Sequence, residues 1–460
     1  IFHDLKVKLV WSEETGDRRF EPLYCLLMNR LASRAHDTFA ERHAARHAAL
    51  ACMVTLAVVL GIGRFAFTPL LPLMLHGSAF GQPQIDIQHG GWLASFNYAG
   101  YFVGALTCAA LRVEPARMVR MGLVGTVLLT LAMGVTSQFW LWAVVRFVAG
   151  AISAWTFVFA SQWGLRRLAE LGAHGWGGVI YTGPGVGIVG TGLLVSAAGG
   201  YGATAGWIGF GLIAAVLSIT VWPVFGTVTG HHSAAEGAAA ATGSATVATR
   251  AAPGSATGQH VPTSHPGNRA DALWLVLLYG VPGFGYIITA TFLPVIARHA
   301  LPGSAWPDLF WPMFGAALIV GALFAARLPV HWDNRTLLAG CYVLQAAGIA
   351  LGIVWPTAGG FSLGSILIGL PFTAITLFAM REARRLHGDN AAGLMGYATA
   401  AYGVGQIVGP LVAAPIAEHT GSFSPALWLA TGALLLGAVG LIIVARMPCG
   451  RGRMPDCGCN

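Results

Sequence analysis

The feature that most constrains the possible fold of this chain is a series of twelve long apolar segments. Six lie before and six after a polar stretch near the middle. The segments lie at 50–75, 91–111, 118–136, 139–165, 176–198, 204–226, 271–297, 307–328, 336–356, 358–380, 391–417 and 424–446. A helix needs about 20 apolar residues to cross the hydrocarbon core of a bilayer. Only 10% of the residues are charged, and the mean hydropathy is +0.66. The pattern predicts an all-α polytopic membrane protein whose twelve transmembrane helices form two six-helix bundles within a lipid bilayer.

The distribution of arginine predicts the orientation in the membrane. When the segments are joined with alternating sides, one set of loops carries almost every loop arginine. These are Arg112, Arg117, Arg120, Arg166, Arg167, Arg250, Arg269, Arg327, Arg335, Arg381, Arg384 and Arg385. The opposite loops hold Arg298 and little else. Because cytoplasmic loops retain Lys and Arg, both termini are predicted to be cytoplasmic. The same bias accounts for the net charge of +8 without a nucleic-acid partner.

The polar stretches divide the chain into five predicted parts. These are a polar cytoplasmic N-terminal segment at 1–49, a six-helix bundle at 50–226, a flexible cytoplasmic linker at 227–270, a second six-helix bundle at 271–446 and a cytoplasmic tail at 447–460. The linker is rich in Ala, Gly, Ser and Thr, a composition that cannot bury a core. Met28 is a candidate true start, which would place part of the first segment upstream of the protein.

The two bundles resemble each other in sequence, which indicates an internal duplication. Four short matches occur in the same order and at nearly the same offset. They pair 61–72 with 283–294, 103–106 with 320–323, 166–168 with 384–386, and 188–190 with 407–409. Since each half has an even number of spans, both halves have the same topology, which predicts a parallel pseudo-two-fold axis along the membrane normal. Such halves can rock about a central site, which favours a transporter over a channel or an enzyme.

Three motifs give the chain a family resemblance. Residues 146–150 read Arg-Phe-Val-Ala-Gly, residues 183–187 read Gly-Pro-Gly-Val-Gly, and residues 61–74 read Gly-Ile-Gly-Arg-Phe-Ala-Phe-Thr-Pro-Leu-Leu-Pro-Leu-Met. With them, the chain resembles the major facilitator superfamily over nearly all of 50–446, and the 61–74 stretch is similar to the YbfB/YjiJ branch. The resemblance implies a monomeric secondary transporter in a bacterial inner membrane. It also associates Arg146 with proton coupling and the Gly-Pro element with antiporters.

The loop between spans 2 and 3 departs from the family pattern, which has a Gly-x-x-x-Asp-Arg-x-Gly-Arg-Arg signature there. Residues Arg112, Glu114 and Arg117 offer charges for a similar gating latch, without the signature's Asp or Gly. The corresponding loop after span 8 holds Asp333 and Arg335, a partial match.

Two arginines inside the spans are the leading candidates for contact with the solute. Arg64 lies near the middle of span 1, where a charge costs roughly 2.5–3.5 kcal/mol on insertion scales. It could clamp an anion, pair at a gate, modulate a proton site, or bind neighbouring carbonyls. Arg146 lies about two turns into span 4, where snorkelling to the headgroups is the alternative. Because no Asp or Glu is expected deep in any span, two buried arginines predict a positive cavity and an anionic solute such as a small organic acid.

Other polar and aromatic residues are candidates for lining the cavity. They are Thr68, Asn97, Tyr101, Trp155, Tyr286, Phe372, Tyr402 and Gln406. Thr68 follows Arg64 by one turn and so shares its face. For any single aromatic residue, helix packing or lipid contact is the competing interpretation.

Glycines and prolines predict where helices bend and approach. Gly183 and Gly187 are one turn apart and predict close packing of spans 5 and 8, while Pro184 could stiffen one closed state. Pro69, Pro72 and Pro294 are expected to kink or end spans 1 and 7.

The predicted function is secondary active transport of a small solute by alternating access, with efflux or proton-coupled antiport preferred. The alternative is a solute sensor that is built on a transporter fold and does not transport. An enzyme is not expected, because the spans lack a converging Ser/His, paired-Asp or metal-ligand group. No cofactor and no metal site are expected. Protons are one candidate coupling ion.

Overall fold

Twelve long helices make up the architecture of the part of the chain that the structure describes. The computed structural model describes residues 42–77, 82–226, 266–325, 327–329, 331–387 and 392–446. The long helices are α1 (Arg42–His76), α2 (Ile87–Thr107), α3 (Pro115–Val135), α4 (Phe139–Glu170), α5 (Gly177–Ala198), α6 (Gly202–Val221), α7 (Pro266–Ala300), α8 (Pro307–Ala325), α9 (Asn334–Val354), α10 (Ala358–His387), α11 (Ala392–Thr420) and α12 (Ser424–Arg446). Within the described ranges there is no strand, so the all-α prediction is confirmed.

Most of these helices are suited to a bilayer by length and composition. Eleven of the described helices are long and apolar enough to cross a membrane, and α2 is the exception. Helix α2 has 21 residues, but its polar side chains, among them Gln88, His89 and Asn97, lower its mean hydropathy. Some of these polar groups face the middle of the molecule, where they contribute to the site described below.

Contacts between helices follow the repeat. The two halves meet where α2 packs on α11 and where α5 packs on α8. In the repeat, α2 corresponds to α8 and α5 corresponds to α11, so the axis that exchanges the halves converts one of these contacts into the other. This arrangement confirms the predicted pair of six-helix bundles with a parallel pseudo-two-fold axis.

The glycines of α5 pack differently from the prediction. A Cβ atom on Gly183 would collide with the backbone of α1 at Met53, and one on Gly187 would collide with Gly61 of α1. Gly185, on the other side of α5, packs against the backbone of Gly315 on α8. Because Gly183 and Gly187 are one turn apart, they share the face of α5 that packs on α1. The contact of α5 with α8 is made instead by Gly185 on the opposite face.

Helix α1 contains a wide turn that the prolines did not predict. Residues Ala57–Ile62 are π-helical, a non-helical turn follows, and the α-helix Phe67–His76 then continues through Pro72. Helix α7, by contrast, is continuous through Pro294. Pro294 therefore does not end its span, and the break in α1 lies before its prolines.

Parts of several predictions lie outside the described residues. They concern the possible start at Met28, most of the N-terminal segment and the linker, and the tail after Arg446.

Candidate functional site

The wide turn in α1 leaves backbone carbonyl groups that need donors from elsewhere. The amide of Thr68 donates to the Phe65 carbonyl, 3.2 Å away, instead of to the Arg64 carbonyl one turn before it. The Arg146 guanidinium supplies the missing donors: Nη1 lies 3.3 Å from the Gly63 oxygen and Nη2 lies 3.3 Å from the Arg64 oxygen. Its Nε donates to the Leu93 carbonyl of α2 at 3.5 Å. In a bilayer, freed backbone groups must be satisfied inside the protein, which is what this arginine does.

The turn places the side chain of Arg64 at the interface between the halves. Arg64 is only 6% exposed, and Nη2 donates to Oε1 of Gln406 on α11 at 3.0 Å. Its guanidinium lies 4.1 Å from the ring centroid of Tyr101, 5.1 Å from that of Tyr98 and 5.3 Å from that of Phe65. The buried Nε has no hydrogen-bond partner. The site therefore contains a guanidinium with free donor capacity, stacked among aromatic rings.

Gln406 connects Arg64 to the equivalent position of the other half. Its Nε2 donates to the hydroxyl of Tyr286, while its Oε1 accepts from Arg64. In the gapless alignment of 61–72 with 283–294, Arg64 corresponds to Tyr286 and Thr68 corresponds to Ala290. Thr68 donates to the Ala290 carbonyl at 2.9 Å. Thr68 thus contacts its equivalent position directly, and Arg64 is linked to its equivalent through Gln406. Because equivalent positions come together only near the pseudo-two-fold axis, the site lies near that axis.

Aromatic residues of the second half surround this position. The Tyr286 ring lies 5.0 Å from that of Phe372 and 6.0 Å from that of Tyr402, which in turn stacks on Tyr279 at 5.0 Å. Of the predicted solute-contacting residues, Thr68 lies one turn from Arg64 and binds the Ala290 backbone, and six others group around Arg64 and Tyr286. These are Arg64, Tyr101, Tyr286, Phe372, Tyr402 and Gln406.

The other predicted lining residues have different surroundings. Asn97 is fully buried behind the site and donates to the Arg146 carbonyl at 2.9 Å. Trp155 donates its ring nitrogen to Thr107 at the end of α2, 2.9 Å away. Arg146, Asn97 and Trp155 thus bond to neighbouring helices and form a supporting group that is distinct from the residues around Arg64.

Among the described residues, hydrogen bonds between the two halves occur at the level of Arg64 and on one side of it. We call the face with the loop arginines the arginine-rich face and the other the arginine-poor face. Among the described residues, the hydrogen bonds between the halves lie at mid-helix or nearer the arginine-poor face. They pair Arg64 with Gln406, Thr68 with Ala290, Gln88 with Glu418, Ser95 with Ile407 and Tyr98 with Thr291. Tyr101 and Tyr402, one turn nearer the arginine-rich face, remain half-buried.

A cavity of about 610 Å³ lies at the arginine-poor face, beyond these hydrogen bonds. Its walls come from the ends of α1, α7, α9 and α11 and the beginnings of α2, α10 and α12, with Val295, Phe423 and Leu427 among the apolar lining. Arg298 at its edge pairs with Asp308 at 2.6 Å. Along the helices, the hydrogen bonds of Thr68 with Ala290 and of Tyr98 with Thr291 lie between this cavity and Arg64.

A buried ionic network holds the arginine-rich ends of the second half together. Arg335 in the first turn of α9 contacts Glu382 of α10 and Asp271 of α7, each at 2.7 Å. Its Nη1 also donates to the Val444 carbonyl of α12 at 3.0 Å. Arg385 contacts the same Glu382 carboxylate at 2.5 Å. Four helices are thus joined through the Arg335 guanidinium, which is paired with the 1% exposed carboxylate of Glu382.

The structure shows where two charges of this region lie. Glu382 was expected at the end of a span or in a loop, and it lies in the last two turns of α10, which continues to His387 and buries the Glu382 side chain. Asp333 does not pair with Arg335 through its side chain, because it caps α9 by accepting from the Arg335 and Thr336 amides. The sequence signal that could have identified Glu382 is its spacing of three residues from Arg385, which places both on one face.

The matching loop of the first half is built differently. Arg112, Glu114 and Arg117 are exposed and make no ion pair with the described residues, and Glu114 does not cap α3 with its side chain. Gly164 stands two residues before Arg166, as Glu382 stands two residues before Arg384, and it packs against Cys52 of α1. A carboxylate has no room there.

Comparisons with known proteins agree with this architecture. A family described as "Uncharacterised MFS-type transporter YbfB" matches residues 56–253 and 237–442. The chain is 35% identical over 169 residues to a chloramphenicol resistance protein of Streptomyces lividans, in an alignment that covers 33% of this chain and 38% of that protein. Its fold is similar to the crystal structure of a mutant of the nucleoside transporter NupG, with a TM-score of 0.64 and 13% identity over 86% of this chain and 99% of that chain. At that identity the likeness shows the fold alone.

The family match covers most of the chain, which therefore belongs to the YbfB-type transporters of the major facilitator superfamily. It is a multi-pass membrane protein of a transporter family, as the motif at 61–74 indicated.

Proposed function

We propose that this protein is a secondary active transporter that moves a small organic anion by alternating access, with Arg64 as its anion ligand. The observation that carries the proposal is the environment of Arg64. A buried guanidinium with a free Nε lies at the junction of two pseudo-symmetric halves, and its contacts to the second half run through Gln406. An anion that replaced Gln406 at Nη2 would contact both halves at once.

The charge of the site supports an anion over a cation or a neutral sugar. Among the described residues, neither Arg64 nor Arg146 has an acidic partner. A carboxylate can accept two parallel hydrogen bonds from one guanidinium, so Arg64 and a solute carboxylate match in geometry as well as in charge. The rings of Tyr101, Tyr286 and Tyr402 fit an organic body beside that carboxylate.

The roles within the site follow from the contacts. We assign Arg64, Tyr101, Tyr286, Phe372, Tyr402 and Gln406 to solute contact. We assign a supporting role to Arg146, which donates to backbone carbonyls of α1, and to Asn97, which donates to the Arg146 carbonyl of α4. Arg335, Glu382 and Asp271 act in conformational change by fixing one end of the second half.

The proposed orientation places the arginine-rich face in the cytoplasm of a bacterial cell, in its inner membrane. In that orientation, the hydrogen bonds between the halves lie at mid-helix and toward the outside of the cell. Export is the proposed direction, supported by the relative named for chloramphenicol resistance and by the Gly-Pro element at 183–187. Proton antiport remains a prediction, for which no described acidic side chain beside Arg64 offers a proton site.

Uptake into proteoliposomes tests the proposal. The panel is radiolabelled benzoate, lactate and succinate as anions, glucose as a neutral solute, tetraphenylphosphonium as a cation, and chloramphenicol. A pH-sensitive dye reports any accompanying proton flux. The proposal expects anion flux in the wild type and a fall of about 10- to 100-fold in Arg64→Gln, the loss of a charge-assisted hydrogen bond.

The matched control is Arg166→Gln, which removes an exposed arginine from the arginine-rich end of α4 and leaves flux unchanged. Flux of glucose or tetraphenylphosphonium that survives in Arg64→Gln would overturn the anion assignment and keep the transporter. Binding of benzoate without flux of any solute would favour the sensor.

A further inference from the structure

The charges along the transport route do not balance within the protein. The acidic residues in the described part of the chain are Asp86, Glu114, Glu170, Asp271, Asp308, Asp333, Glu382 and Glu418. All lie near helix ends or in loops, and the most buried, Glu382, is already paired with Arg335 and Arg385. No described carboxylate is available to neutralise Arg64 when the solute is absent.

The groups that do contact Arg64 are polar or polarisable, and they carry no net charge. Gln406 offers one carbonyl oxygen, and the three aromatic rings offer their electron-rich faces. Such contacts lower the energy of a buried cation, yet the empty site keeps a full positive charge. A bound monoanion converts the same site into a neutral pair.

We infer that this transporter is an obligatory exchanger of small organic anions, in which only the anion-loaded form crosses between inward- and outward-facing states at an appreciable rate. The inference rests on the proposed function. Between the two states the site must close on both sides and lose contact with water. A closed site that holds an uncompensated guanidinium is costly in this low-dielectric setting, whereas one that holds an ion pair is much less so. One anion leaves as another enters, so the entry of one anion drives the export of the other and takes the place of the predicted proton antiport.

Gln406 is the residue at which a substitution can change the charge of the empty site. It accepts from Arg64 and donates to Tyr286, so it links the site to α11 and α7. A carboxylate in place of its amide would lie next to the guanidinium without any change in side-chain length. Gln406→Glu therefore gives the empty site a built-in counter-ion, which an exchanger lacks and a net transporter requires.

The test compares exchange with net flux in proteoliposomes that are loaded with radiolabelled benzoate, with lactate and succinate in parallel. Exchange is the loss of label into buffer that contains the unlabelled anion, and net flux is its loss into buffer without it. Potassium with valinomycin clamps the membrane potential, so charge build-up does not limit net flux. In the wild type we expect exchange to exceed net flux by at least about tenfold.

The variants separate charge from packing. In Gln406→Glu we expect net flux to rise toward the exchange rate and exchange to fall, since the new carboxylate competes with the solute. Gln406→Met removes the carbonyl without adding charge, and its net flux should stay low. Elution as a monodisperse peak on size-exclusion chromatography shows that each variant is folded.

Two results overturn the inference, and they are distinguishable. Equal net and exchange fluxes in the wild type would refute obligatory exchange and leave the anion transporter standing. No flux of the three anions in either mode, with transport of a neutral or cationic solute, would refute the proposed function as well. The wild-type comparison decides the matter even if Gln406→Glu does not fold.

Discussion

The two halves of this transporter share a topology but place their charges in opposite ways. The first half carries its buried charges at the centre, in Arg64 and Arg146, and its α2–α3 loop makes no ion pair with the described residues. The second half has neutral polar groups at the centre, in Tyr286 and Gln406, and buries its charges at the arginine-rich ends of its helices. The duplication thus conserves helix packing and leaves electrostatics free to diverge.

The first helices of the halves show the same divergence in their backbones. Helix α1 has a wide turn whose carbonyls are satisfied by Arg146, whereas α7 is continuous. The position equivalent to Arg146 in the second half is Gly364, which packs on the Gly348 backbone of α9. An intact helix has no freed carbonyls, so α10 has no need of an arginine there.

The largest expected effect breaks the ionic network of the second half. Glu382→Gln should lower the free energy of unfolding by about 3–5 kcal/mol, because Arg335 and Arg385 lose the carboxylate between them. Arg117→Gln, at the position of the first half equivalent to Arg335, should change the free energy of unfolding by less than about 0.5 kcal/mol, since the Arg117 side chain is exposed. Denaturation in mixed detergent micelles, followed by circular dichroism, measures both. Equal losses in the two variants would contradict the asymmetry.

The next effect concerns the turn in α1. Arg146→Gln should lower the free energy of unfolding by about 2–3 kcal/mol, because the carbonyls of Gly63, Arg64 and Leu93 lose their donor. Arg146→Lys keeps the charge but loses the planar fork, so it should recover only part of the stability. The same micelle denaturation reports the result. Full recovery in the lysine variant would show that charge, and not the fork, is what α1 needs.

A smaller and symmetric effect is expected from packing. A Cβ atom on Gly61 would meet the backbone of α5 at Gly187, and one on Gly283 would meet the backbone of α11 at Tyr402. Gly61→Ala and Gly283→Ala should each cost about 1–3 kcal/mol in micelle denaturation. Gly190→Ala, which has open space, is the control. A cost in only one half would mean that packing has diverged along with charge.

The smallest effect is at the exposed end of α4. Glu170 pairs with Arg166 at 3.2 Å and with Arg167 at 3.0 Å, all on the surface. Glu170→Gln should change the free energy of unfolding by less than about 0.5 kcal/mol, because water and salt screen such pairs. A loss comparable to that of Glu382→Gln would show that this exposed cluster is the first half's equivalent of the buried network.

Helix number, family and pseudo-symmetry were predictable because the bilayer imposes a hydropathy pattern and the duplication leaves sequence matches. The alignment of 61–72 with 283–294 even pairs Arg64 with Tyr286 and Thr68 with Ala290, which the structure brings together. The break in α1 was not predictable, because π-helical turns depend on tertiary partners such as Arg146 and have no sequence signature of their own.

The burial of Glu382 was missed for a related reason. Hydropathy ends span 10 near residue 380, but α10 extends to His387 because Arg335 and Arg385 compensate its carboxylate. Likewise, depth in the membrane made Arg64 and Arg146 look alike. Only their hydrogen bonds distinguish them: Arg146 donates to backbone carbonyls, whereas the Nε of Arg64 has no acceptor.

The central claim is that Arg64 holds the charge of the solute at the pseudo-two-fold axis. The most direct measurement is the affinity of the purified protein for benzoate and for benzamide, as reported by quenching of tryptophan fluorescence. The two compounds have nearly the same shape and differ in charge. The account predicts that the wild type prefers benzoate by at least about tenfold and that Arg64→Gln abolishes this preference. The same preference for benzoate in both proteins would contradict it.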